Sequence, residues 1–153
     1  MTMEEALARY LVDRDIIEPD RGHEDWYDGR WFYLDVRGRK VPFFPEPEWL
    51  KPGLYLHDVN HLVSGYDTTW RGECEEAAWE LGSGGCGRYL GFWLDRIFFI
   101  PFGLVSAPIR TLKAFFKGLA CRNLYRFDHD TVLASEVEDV RHYVHFETAT
   151  LGA

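Results

Sequence analysis

Two histidines spaced four apart, in His57-Asp58-Val59-Asn60-His61, are the first residues of this 153-residue chain whose types and spacing could do chemistry. On a helix such a pair shares one face, so both imidazoles can turn toward a single ion. After eleven intervening residues stands Glu73. With a turn at Gly65-Tyr66 and a rise of about 1.5 Å per residue, Glu73 lies roughly 9 to 12 Å along a returning helix, level with residues 57 to 61. In one unbroken helix it would instead sit about 18 Å from His61 and about 120° off its face. The glycine turn is therefore what could make Glu73 a third ligand. Two imidazoles and a carboxylate at one level suit a first-row divalent metal with an open position, zinc or ferrous iron. Asp58 is then a fourth ligand, or the outer acceptor that holds a ring nitrogen in place. The competing view puts Glu73 with Glu75, Glu76 and Glu80 on a solvated acidic face.

The elements that must position these groups are mostly helical. Met3 to Ile17 carries Leu7, Tyr10, Leu11 and Ile16-Ile17 at the spacing of a short amphipathic helix, stopped by Pro19. After an acidic, turn-rich stretch, Trp31 to Val36 and Val41 to Phe44 flank a glycine turn and predict a β-hairpin, with Pro42 placing the second strand at an edge. A helix then starts at Pro52 and ends at Gly65, which tolerates left-handed dihedrals. Its partner, capped by Asp67 or Thr68, runs to Leu81, where Gly82-Ser-Gly-Gly-Cys-Gly87 stops it. A segment from Arg88 to Phe99 is broken near Pro101, another helix starts close to Pro108, and a last one begins near Ser135 and includes Val137, Val140, Arg141 and Val144. The expected fold is a single domain, 1–153, mostly α: a helical bundle with an αα-hairpin carrying the metal site and a small N-terminal β-hairpin.

The spacing His57-Asp58-x-x-His61, eleven residues, Glu73 resembles the metal-binding signature of the family of the fourth coenzyme Q biosynthesis (Coq) protein. Leu62-Val-Ser-Gly65-Tyr66 and Gly72-Glu73 also fit, as do Arg122-Asn-Leu-Tyr-Arg-Phe-Asp128 and Glu138-Asp-Val-Arg141 with its C-terminal segment. The likeness covers roughly Leu50 to Tyr143. It implies an all-helical, membrane-associated protein of ubiquinone biosynthesis that replaces the carboxylate at ring carbon one of a prenylated benzenoid by a hydroxyl, an oxidative decarboxylation. It also implies a scaffold for other biosynthetic enzymes, and metal ligation by His57, Asp58, His61 and Glu73.

Charge patterning adds an orientation. The formal net charge is −8. Arg88 to Arg126 holds seven basic residues against Asp95 alone, a net of +6, so the remainder carries −14. An acidic field of that size disfavours nucleic acid as a partner. Within the basic segment, Arg110, Lys113 and Lys117 fall on one side of a helix and Leu112, Phe115, Phe116 and Leu119 on the other. Such a stretch can rest on an anionic membrane surface or shape a channel for a prenyl tail; otherwise its Phe and Leu residues are ordinary core. Its longest uncharged run, Ile97 to Ile109, has thirteen residues, too short for the roughly 20 that span a bilayer. Three cysteines without a Cys-x-x-Cys pair, and an N-terminus too charged for a signal peptide, predict a reducing, cytoplasmic location, peripheral at the inner membrane face where it meets lipid. An oligomer is compatible with this reading.

Two other functions compete. The dyads His57-Asp58 and His129-Asp130 suggest an HD-type metal phosphohydrolase, which needs a further upstream histidine, and His23 is the only one. A non-enzymatic lipid-binding scaffold would close its metal with four protein ligands. Gly82 to Gly87 lacks the preceding strand and the Lys-Ser/Thr of a phosphate loop. His142 and His145 read as a surface pair, and no Ser/His/Asp order stands out.

Overall fold

The computed structural model describes residues 1–14, 17, 26–27, 31–45 and 47–146. Ile16, Pro19 and His23 lie outside them. The described chain is mostly helical with one antiparallel hairpin, as expected. Helix α1 (Met3–Asp13) is started by a capping box, Thr2 accepting from the Glu5 amide and Glu5 reaching back to the Thr2 amide. Strands β1 (Trp31–Val36) and β2 (Arg39–Pro45) are joined through Arg37 and Gly38, both at positive φ, the geometry that matches the strands' right-handed twist. Their register slips between Phe32 and Tyr33, opposite the Pro42 edge position.

Helices α2 (Lys51–Ser64) and α3 (Trp70–Gly82) make the helical hairpin. Gly65, at φ 83°, closes α2 in the left-handed conformation, and Thr69 rather than Asp67 or Thr68 caps α3 by accepting from the Gly72 amide. Asp67 supports that cap instead, accepting from the Thr69 amide at 3.0 Å. Helix α4 (Leu90–Ser106) continues past Pro101, contrary to the expected break. Pro101 and Ile97, whose carbonyl it leaves without an amide partner, are both exposed, so solvent can satisfy that group. Helix α5 (Pro108–Leu119) follows at once, and α6 (His129–Ala134) and α7 (Val137–Val144) complete the order. The main core joins α1, α2, α6 and α7 through Leu7, Leu11, Leu54, Leu56, Val59, Val132 and Val140.

Helix α3 is pressed against α5 by small residues. A Cβ on Gly118 would fall inside the van der Waals radius of the Trp79 carbonyl, and one on Gly82 inside that of the Phe115 carbonyl. The inward face of α5 is consequently Thr111, Ala114 and Gly118, and not Leu112, Phe115, Phe116 and Leu119, as the alternative ordinary-core reading would have it. Of these four only Phe115 packs against the core; Leu112, Phe116 and Leu119 are exposed. Leu94, Ile97 and Phe98 of α4 are exposed as well. No helix among the described residues is long and apolar enough to cross a membrane.

Candidate metal centre

The hairpin brings the three expected ligands to one point. On α2, His57 and His61 present their Nε2 atoms 3.2 Å apart. From α3, the Glu73 Oε2 lies 3.5 Å from the His57 Nε2 and 3.4 Å from the His61 Nε2. An ion bound at about 2.05 Å in tetrahedral geometry has ligand atoms about 3.3 Å apart, so these three atoms form one triangular face of such a site. Both imidazoles are buried and Glu73 nearly so, with 15% of its side chain exposed. The donor set and its spacing fit a divalent metal, and among the described residues this group contains three ligands.

Asp58, the fourth residue of the expected set, is not in that group. Its carboxylate accepts the hydroxyl of Tyr27. Nor does it orient a ring. The Nδ1 of His57 faces Glu80 at 3.1 Å, and the Nδ1 of His61 faces the backbone carbonyl of Tyr66 at 3.1 Å. Both partners are acceptors, so each Nδ1 carries a proton and each Nε2 is left for the ion.

The acidic face of α3 is not solvated. Glu75, Glu76 and Glu80 are buried beside the nearly buried Glu73. Glu76 accepts from the Ser64 hydroxyl at 2.6 Å, and Glu75 is held bidentately by Arg110 at 3.0 and 2.6 Å. Glu80 meets Arg96 of α4 and the Tyr125 hydroxyl. Arg96 and Tyr125 escaped the sequence reading, since neither lies near the motif in the chain. Glu80 did not have to: Glu73, Glu76 and Glu80 fall at helical spacing on one face, opposite an apolar hairpin partner.

The other expected site residues lie elsewhere. Lys117 donates to the Ser64 carbonyl at 2.8 Å and sits over the Tyr66 ring, so it closes the hairpin turn from α5. Lys113 is exposed. His129 stacks on Tyr55 and, with Asp128 and Asp130, forms a second group apart from His57. His142 sits 3.9 Å from Glu138 on the surface of α7.

Electrostatics make the metal-free site a proton trap. Burial alone would lower both imidazoles, yet the hydrogen bond and charge of Glu73 raise His57, and the charges of Glu73 and Glu76 raise His61. Glu73 would be raised by burial, but the charge of His61 and the hydrogen bonds from both rings hold it well below the usual carboxylate range. The raised histidines stabilise the metal-free fold fully below about pH 6.5, and that contribution is lost as pH rises through their folded values. Glu73 works oppositely, contributing above its unfolded value and losing that contribution as pH falls. A metal must displace the imidazole protons, so its affinity should rise up to about tenfold per pH unit for each proton released. The gain in Tm with excess zinc is expected to be small at acidic pH and to grow toward alkaline pH. Thermal melts with and without zinc across that range check it; a constant gain would show that no proton leaves.

Comparison with protein-family models, curated proteins and solved structures yields no match. The functional reading therefore stands on the motif and its geometry.

Proposed function

We propose that the chain is a metal-dependent enzyme of ubiquinone-type biosynthesis, acting on a prenylated benzenoid or related aromatic lipid by exchanging a ring carboxylate for a hydroxyl. The observation that carries this reading is the convergence of His57, His61 and Glu73 as three ligands, with the spacing that resembles the Coq family signature. Three protein ligands leave a position for substrate oxygen, whereas a purely structural zinc is normally closed by four. A divalent ion held there, zinc or ferrous iron, would supply Lewis acidity toward the ring carboxylate or an adjacent phenolic oxygen. The chain's own part is to bind and orient: Glu80 and the Tyr66 carbonyl fix the two imidazoles, and the burial of the histidines limits water around them. The exchange releases carbon dioxide and inserts one oxygen atom; with dioxygen as source, the other atom leaves as water using two electrons and two protons from a reductant.

The outward apolar residues of α4 and α5 support a lipid surface as the place where such a substrate is met. The basic residues contribute less than their number suggests. Arg110 is engaged with Glu75 and Lys117 with Ser64, which leaves Lys113 as the one of the three without such an engagement among the described residues. Apolar insertion through Leu112 and Phe116 is therefore the main attraction. Leu112→Glu with Phe116→Glu should reduce sedimentation with phosphatidylglycerol vesicles at least tenfold; equal binding would remove the membrane from the proposal.

The function itself is tested by metal analysis of the purified chain and by incubation with a polyprenylated ring carboxylate, reading carbon dioxide release and the hydroxylated product. Absence of bound divalent metal together with unchanged turnover in His57→Ala would overturn it. Bound metal without turnover would favour the scaffold role. Hydrolysis of phosphomonoesters would favour the phosphohydrolase, though His129 lies in a separate group from His57.

A further inference from the structure

Glu80 is surrounded by four donors, as many as the lone-pair sites of a carboxylate. Its Oε1 accepts from the Asn60 amide at 2.8 Å and the Tyr125 hydroxyl at 2.9 Å, and faces the His57 Nδ1 at 3.1 Å; its other oxygen is paired with Arg96. These partners come from α2, α4 and the segment before α6, while Glu80 itself is on α3. All five side chains are buried. The Arg96 Nη2 and the Tyr125 hydroxyl also lie 3.5 Å from the His57 Nδ1. Phe92, 5.1 Å from the His57 ring, covers its face, and Gly53 lets that ring approach α2.

From this arrangement we infer that Glu80, clamped by Arg96 and Tyr125, is a positioning residue for His57 and through it for the metal, so that docking of α4 is part of building the centre. The physical reason is rotational. A glutamate alone turns about three side-chain bonds. With both oxygens held by donors from different elements it has one placement, and that placement leaves His57 one ring orientation, Nδ1–H on Glu80 and Nε2 toward Glu73. His61 needs no such clamp, because its Nδ1 partner is a backbone carbonyl in the turn. Outer partners of this kind are worth about 10- to 100-fold in metal affinity.

This inference rests on the proposed metal site, and the test separates the two. Glu80→Met alone would leave the buried Arg96 guanidinium with Asp95 as its remaining acidic partner among the described residues, and a strongly destabilised fold would be the result. The double variant Glu80→Met/Arg96→Met removes both charges at similar volume, and Tyr125→Phe removes one hydroxyl while keeping the ring. Zinc affinity by chelator competition is expected to fall about 10- to 100-fold in the double variant and about threefold in Tyr125→Phe. Helical circular dichroism should be retained in both. Cobalt(II) supplies a second readout: its visible spectrum should change in the double variant, and the exchange-protected imidazole N–H proton resonance of His57 in the zinc-loaded wild-type chain should disappear. Folded variants that bind zinc with unchanged affinity and leave the cobalt spectrum unaltered would overturn the positioning role and leave the metal site standing. A wild-type chain that binds neither zinc nor cobalt would overturn both.

Discussion

His61→Ala is expected to weaken zinc binding by on the order of 10²- to 10³-fold, while Asp58→Asn stays within a few-fold of the wild-type chain. The size follows from apparent zinc affinities of about 10 to 16 kcal/mol shared among the four ligands of a structural site, or roughly 2.5 to 4 kcal/mol for each. The contrast follows from geometry. His61 supplies one corner of the ligand triangle, whereas Asp58 is turned to the Tyr27 hydroxyl. Both residues belong to the motif as the sequence presents it, and motif reasoning would assign them similar losses. Chelator competition on the two purified variants decides. A loss in Asp58→Asn as large as that in His61→Ala would place Asp58 among the ligands.

The second large effect concerns the scaffold. Gly118→Ala is expected to destabilise the fold by about 2 to 4 kcal/mol, although helix propensity alone would have it stabilise by about 1 kcal/mol. The added Cβ meets the Trp79 carbonyl, and no side-chain rotation can relieve a clash with backbone. Helices α3 and α5 must separate, and the Phe115 carbonyl that bars a Cβ at Gly82 shows that the same seam is tight one turn away. Because α3 also carries Glu73 and Glu80, that separation should weaken zinc binding as well. Denaturant unfolding of the metal-free chain measures the first effect; a variant as stable as the wild-type chain would mean that the two helices can slide apart without loss.

The hairpin geometry was legible because it follows from local rules. A glycine in the left-handed conformation ends α2, a threonine caps α3, and a fixed rise per residue then sets Glu73 level with His57 and His61. Two alternatives that the structure rejects and one misreading share a cause. Glu75, Glu76 and Glu80 read as solvated because their partners, Arg110, Ser64, Arg96 and Tyr125, are brought in by other elements or by the hairpin's own closure. Leu112, Phe116 and Leu119 read as a core candidate because apolar residues normally turn inward, but the α3 surface they would have covered is closed by Gly118 and Ala114. Helix α4 continues past Pro101 because the carbonyl left unpaired lies on an exposed face, which one-dimensional reading cannot see.

By itself, then, the sequence determined which residues can bind an ion and at what level of the hairpin they meet, since helix rise and turn residues are local properties. Only the tertiary structure decided that three of the four motif residues converge, that the histidines are oriented by Glu80 and the Tyr66 carbonyl rather than by Asp58, and that Leu94, Ile97 and Phe98 of α4 and Leu112, Phe116 and Leu119 of α5 turn outward. The physical reason is the same in each case. Burying a charge or exposing a hydrophobe is settled by what the other elements bring to it, and those partners lie far away in the chain.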